Sequence, residues 1–170
     1  MGRHVLAVNS VAAQLPLSRP SYLYPLMAIL SGGKGISKAL SAIAEKMNGS
    51  VKVGFLEGAT YPDGTSVAQN AFWQEYGTTR IPSRPFFRTM ISRESPGWGV
   101  LMSGAAKHYN YNGAAVLQLM GMKIAEQLQQ SIVEWKDPPN APSTIRIKGF
   151  NKPLIHHGIM QNGVDFEVEE

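Results

Sequence analysis

Apolar positions in this chain recur with two periods, and the switches between them mark its elements. From Ile36, the residues Leu40, Ile43, Ala44 and Met47 fall four, seven, eight and eleven positions on, which predicts an amphipathic helix that ends before Asn48-Gly49 and packs on a sheet. Val51, Val53 and Phe55 then alternate with Lys52, Gly54 and Leu56, as in a strand with one buried face. Glu57 to Ser66, with Gly58, Pro62 and Gly64, is a loop. Asn70 to Tyr76 reads as a short helix stopped by Gly77; Phe72 and Tyr76 share the face that anchors it, and Trp73 points elsewhere. Phe86 to Arg93 begins another helix behind Pro85, and Ser95-Pro-Gly97 interrupts it. The longest stripe, Val116, Leu117, Met120, Ile124, Leu128, Ile132 and Trp135, predicts a helix from Gly113 to Trp135. Asp137-Pro-Pro-Asn-Ala-Pro142 ends it in a proline loop. Thr144 to Lys148 alternates as a strand, and so does Gly163 to Glu169, with Val164, Phe166 and Val168 inward and Asp165, Glu167 and Glu169 outward.

These elements define an α+β class: a small antiparallel sheet against one long helix and two or three shorter ones. Residues 1–31 carry Pro16, Pro20 and Pro25 and only short apolar runs, so they read as an extended N-terminal arm. Ser31-Gly-Gly-Lys-Gly35 adds a glycine-rich hinge, which divides the chain into an arm and hinge at 1–35 and a single domain at 36–170. A phosphate-loop reading of that hinge fails, because Lys34 is followed by glycine instead of Ser or Thr.

With 170 residues and 44% hydrophobic content the chain is large enough to bury one core. The absence of cysteine excludes disulfides, thiolate zinc sites and cysteine nucleophiles, and fits a reducing cytoplasm. No apolar run reaches the length of a signal core or a membrane span. The net charge of +4 conceals an asymmetry, since four of the twelve acids lie in the last six residues and leave 16 basic against 8 acidic side chains before them. A basic body suits nucleic acid or an acidic partner, yet the bases are scattered apart from Arg80, Arg84, Arg88 and Arg93, so a solvated basic face is the favoured reading.

Catalytic chemistry finds little support. His4, His108, His156 and His157 are dispersed, and adjacent His156 and His157 in a strand would point to opposite faces, unable to hold one metal together. Glu45, Glu57, Asp63, Glu75 and Glu94 show no metal-ligand spacing, and no nucleophile elbow is present. Met120, Met122 and Met160 read as core filling. The expectation is a protein that is not an enzyme, with no catalytic, cofactor or metal residues. Exposed Trp and Arg are the residue types that dominate protein interfaces, which directs attention to Trp73, Arg84 and Arg88.

Three motifs occur in order: Asn70-Ala-Phe-Trp-Gln-Glu-Tyr-Gly77, then Ile81-Pro-Ser-Arg-Pro-Phe-Phe-Arg88, then Lys152-Pro-Leu-Ile155 with Gly158. Together, over residues 51–168, they resemble the tail-completion, or head-tail joining, proteins of long-tailed bacteriophages. The third site departs from the family, which usually has Asp-Thr-Gly where this chain has His156-His157-Gly158. The resemblance implies a virion structural protein of the neck, assembled in the host cytoplasm as a hexameric ring between the head-closure or connector protein and the tail terminator or tail tube. Tail terminator, head-closure ring protein and basic nucleic-acid-binding module are the alternatives. The interface residues expected on this reading are Trp73, Arg80, Arg84, Arg88 and Arg93, with the acidic strand end bearing Glu167 and Glu169 as their partner on a neighbouring subunit, or DNA in the lumen as the other.

Overall fold

The computed structural model describes residues 33–55 and 58–169, so the arm and the start of the hinge lie outside the described residues. The elements run α1 (Gly33–Lys46), β1 (Ser50–Phe55), α2 (Val67–Tyr76), α3 (Phe86–His108), α4 (Gly113–Glu134), α5 (Pro142–Lys148), α6 (Ile159–Asn162) and β2 (Val164–Glu169). The class is α+β, and the sheet is an antiparallel ribbon of β1 and β2 in register from Ser50↔Glu169 to Phe55↔Val164. Val53, Phe55 and Val164 are buried on its apolar side. Helix α4 packs against both strands, and α3 packs on α4.

The α4 stripe is the one the sequence periodicity marks: Val116, Met120, Ile124, Leu128 and Ile132 are all buried. Asn112 caps its first turn through a hydrogen bond from the Ala115 N–H. Helix and ribbon meet most closely at Gly121, where an added Cβ would lie 2.2 Å from a Phe166 ring carbon. Glycine in mid-helix ordinarily costs about 1 kcal/mol relative to alanine. Here the sign should reverse: Gly121→Ala is expected to destabilise the domain by about 1–3 kcal/mol, read from its denaturant midpoint, because the ring must be displaced from a packed core.

Four expectations need correction. The helix predicted from Ile36 starts at Gly33, so Gly33 and Gly35, placed in a hinge, lie in its first turn. None of its residues is buried, and it does not lie on the sheet. Among the described residues the ribbon has two strands, and α4 already covers its apolar side. Helix α3 does not stop at Ser95-Pro-Gly97 but runs for 23 residues with Pro96 inside it. An internal proline costs about 3 kcal/mol or more. Burial on both sides offsets this, with Phe86, Phe87 and Met90 before it and Trp98, Ala105 and Ala106 after it. Trp98 Nε1 also donates to Gln127 Oε1 on α4 at 2.9 Å. The described residues therefore include two long helices, α3 and α4.

Thr144 to Lys148, expected as a strand, is helical in α5. Pro142 at the first turn and the left-handed Gly149 (φ 77°) frame a helix, and Ile147 is 83% exposed. Alternation over five residues fits either period, and the end signals decide. On α2 the faces are exchanged as well: Val67, Ala71 and Glu75 are buried, whereas Phe72 and Tyr76 are exposed, their ring centroids 4.7 Å apart. Small Ala71 lets the helix close on the core, which places the bulkier aromatic stripe on the outside.

Candidate interaction surface

The first two motifs fold onto each other through one carboxylate. Glu75, at 2% exposure, accepts from the Phe87 N–H at 2.9 Å and from the Arg88 N–H at 3.2 Å. These are first-turn donors of α3, which a helix cannot satisfy itself. Pro85 stands at the cap position and offers no side-chain acceptor, so Glu75 caps α3 from another helix. Arg88 completes the arrangement, with Nε 3.3 Å from Glu75 Oε1, Nη2 donating to the Glu75 carbonyl at 3.0 Å, and the guanidinium carbon 5.2 Å from the Tyr76 ring centroid. Burial pushes the Glu75 carboxyl above its ordinary value, opposed by the two backbone N–H groups and by Arg88.

Gly77 permits the turn between these motifs. Its φ is 77°, and a Cβ there would meet Ser83 N at 2.9 Å and Ile81 O at 3.0 Å. The returning loop is fastened by Arg84 N–H to Gln74 O at 2.6 Å and by Ser83 Oγ donating to Glu75 O at 2.8 Å.

Arg84 departs from expectation. Assigned to an interface, it is 5% exposed inside its own subunit. Its Nε donates to Pro138 O at 2.9 Å, Nη1 to Gln74 Oε1 at 2.7 Å and Nη2 to Pro139 O at 3.1 Å. It thereby ties the proline loop to α2, and burial lowers its pKa. A guanidinium suits this task because its donors diverge in one plane while prolines leave carbonyls without neighbouring N–H groups.

The other predicted residues are spread apart. Arg93 pairs with Glu94 on its own helix at 2.7 Å. Arg80 is exposed and makes no ion pair among the described residues. Trp73 is half-buried. Glu169 is bound to Lys52 across the ribbon, and that contact lowers the Glu169 pKa and raises that of Lys52. Glu167 is exposed and lies opposite Lys52 in the register. Thus the structure brings Arg84 and Arg88 to the Glu75 turn and places the acidic residues on the ribbon.

His156 and His157 are not in a strand. They occupy a turn with their rings 4.3 Å apart, and His157 takes a left-handed φ of 57°. Among the described residues no three or more His, Asp or Glu side chains gather as a metal-holding group. Sequence reasoning missed Gln74 and the carbonyls of Pro138 and Pro139 as partners of Arg84. The available signal was an arginine between two prolines, Pro82 and Pro85, and beside Phe86 and Phe87, a context that favours an internal cation over a wet one.

Among the described residues, α1 is the helix whose apolar stripe is left uncovered. Ile36 is 56% and Leu40 61% exposed, and only beyond the helix does Met47 pack against the core. Gly113 holds the C-terminal end of α1 against α4, since a Cβ there would lie 2.3 Å from Lys46 O. The stripe that the periodicity marks as a packing face is therefore uncovered by the described residues. Comparison of the chain with models of protein families, with curated proteins and with solved structures returns no match.

Proposed function

We propose that this chain is a virion structural protein of a tailed bacteriophage, forming a homo-oligomeric ring of six subunits at the head-tail junction that completes the tail and joins it to the head connector. One observation carries the reading. The three motifs on which the resemblance rests, distant in sequence, meet as a single unit: Glu75 caps the helix that begins with Phe86, Arg84 binds Gln74 and the proline loop, and Leu154 is buried in the same core as Phe86 and Phe87. Their meeting in one core is consistent with the resemblance and supports reading them as one unit.

The exposed stripe of α1 supplies a contact for a second copy. In a ring each subunit offers two different patches, so α1 seats on a surface of the next subunit and not on its own twin. A nucleic-acid-binding role is less well supported, because Arg84, Arg88 and Arg93 are held by internal acceptors or carboxylates. Lack of catalysis belongs to the same proposal.

Disrupting the gene in its phage should yield DNA-filled heads and detached tails in electron micrographs. Intact infectious particles would overturn the reading. In the purified full chain, Ile36→Glu with Leu40→Glu should abolish rings seen by native mass spectrometry while changing subunit stability by less than about 0.5 kcal/mol, as for exposed substitutions generally. Rings that survive the double substitution would remove α1 from the contact.

A further inference from the structure

Between α2, the loop from Arg80 to Arg84, α5 and the turn before α6 lies a cavity of about 350 Å³. Its wall carries Arg80, Arg84, Lys148 and His156, and no carboxylate of the described residues reaches it. Arg84 is buried, yet it meets only neutral oxygens. Each of its three nitrogens donates once, which leaves a proton on both terminal nitrogens. Lys148 Nζ donates to Lys152 O at 2.6 Å and lies 5.1 Å from the Phe150 ring centroid, again without an acid. Burial holds its amine below the usual lysine value, and the Arg84 charge adds to the effect. Asn140 also lines the cavity. It is 8% exposed, and its side-chain nitrogen is buried without a hydrogen-bond partner among the described residues. The Tyr61 hydroxyl accepts from Asn70 Nδ2 at 2.8 Å, so its own proton remains to donate.

Like charges and an unpartnered donor around one cavity are unfavourable by themselves, since Arg84 and Lys148 meet neutral acceptors but no counter-charge and the Asn140 amide nitrogen meets no acceptor. We propose that this cavity is a binding site for a phosphate-class oxyanion, inorganic phosphate or a phosphate monoester. A dianion matches Arg84 and Lys148 in charge, and its oxygens accept from the guanidinium fork, from the Asn140 amide and from Tyr61. A monocarboxylate has half the charge and too few acceptors for that set.

The test titrates the full chain with inorganic phosphate, against sodium chloride at matched ionic strength, and follows heat and thermal stability. Saturable binding at one site per chain is expected, weakened at least tenfold by Lys148→Met. Asn140→Asp sets a carboxylate beside Arg84, so it should abolish binding while leaving the free protein at least as heat-stable, which shows that the variant is folded. Phenyl phosphate separates the sources: tighter binding than inorganic phosphate identifies a monoester, and weaker binding identifies the free ion. An equal response to chloride, equal binding by both variants, or equal competition by acetate would each overturn the assignment.

Discussion

Replacing Glu75 by alanine should destabilise the domain by about 2–6 kcal/mol, chiefly because two N–H groups at the start of α3 lose their acceptor. Two losses coincide. The Phe87 and Arg88 N–H groups would be left without acceptors at a helix start, each unsatisfied group costing about 1–3 kcal/mol. Arg88 would lose its counter-charge as well, though its half-exposed side chain makes that share small. A chemical denaturation midpoint reads the result, and a change below 1 kcal/mol would reject the capping role. Glu75→Gln separates charge from shape. Because burial raises the Glu75 pKa above its value in the unfolded chain, the associated stability is present in full below the ordinary carboxylate range and is lost as pH rises through the raised value. The parent's advantage over the glutamine variant should therefore shrink as pH rises through that interval.

Arg84→Ala should cost about 2–3 kcal/mol, from hydrogen bonds to a charged donor and the acceptors they leave behind, and lower the melting temperature by roughly 4–12 °C. Pro138 O, Pro139 O and Gln74 Oε1 would all lose a partner. Lysine should not restore the loss, since one ammonium cannot reproduce a planar fork directed at three acceptors. Charge reversal at Arg84 would act through the fold of the domain and so report nothing about contacts with another chain. If Arg84→Ala unfolds at the parent temperature, the proline loop is held by other means.

What the sequence revealed depended on how many residues shared a pattern. Helix α4 was legible because five buried residues repeat over its 22 positions, and β2 because three apolar residues alternate with three acids. The course of α3 through Pro96 was not legible, since local rules record the missing N–H and not the burial of Trp98 that outweighs it. Thr144 to Lys148 gave too short a pattern, and Pro142 and Gly149 were the better guide to α5. At the candidate surface the motifs were visible and their roles were inverted. Arg84 looked like a contact residue because charge usually faces water, whereas the carbonyls that hold it come from residues more than fifty positions away. Glu75 was hidden at shorter range, its capping partners lying twelve and thirteen residues on, across a turn that Gly77 permits.

The ribbon also sets a timetable for synthesis. Ser50 and Glu169 face each other across 119 residues of chain. A ribosome adding about 5–20 residues per second needs on the order of ten seconds to cover that interval. Throughout it β1 has left the tunnel without its only strand partner among the described residues, and the apolar stripe of α4 emerges before the ribbon that will cover it exists. Closure of so long a loop follows late and slowly, because the entropy of gathering the chain comes before any pairing rewards it. The nascent chain thus exposes its apolar surfaces before their cover is made, and the yield of native protein becomes a matter of how fast new chains are started as well as of how stable the finished domain is.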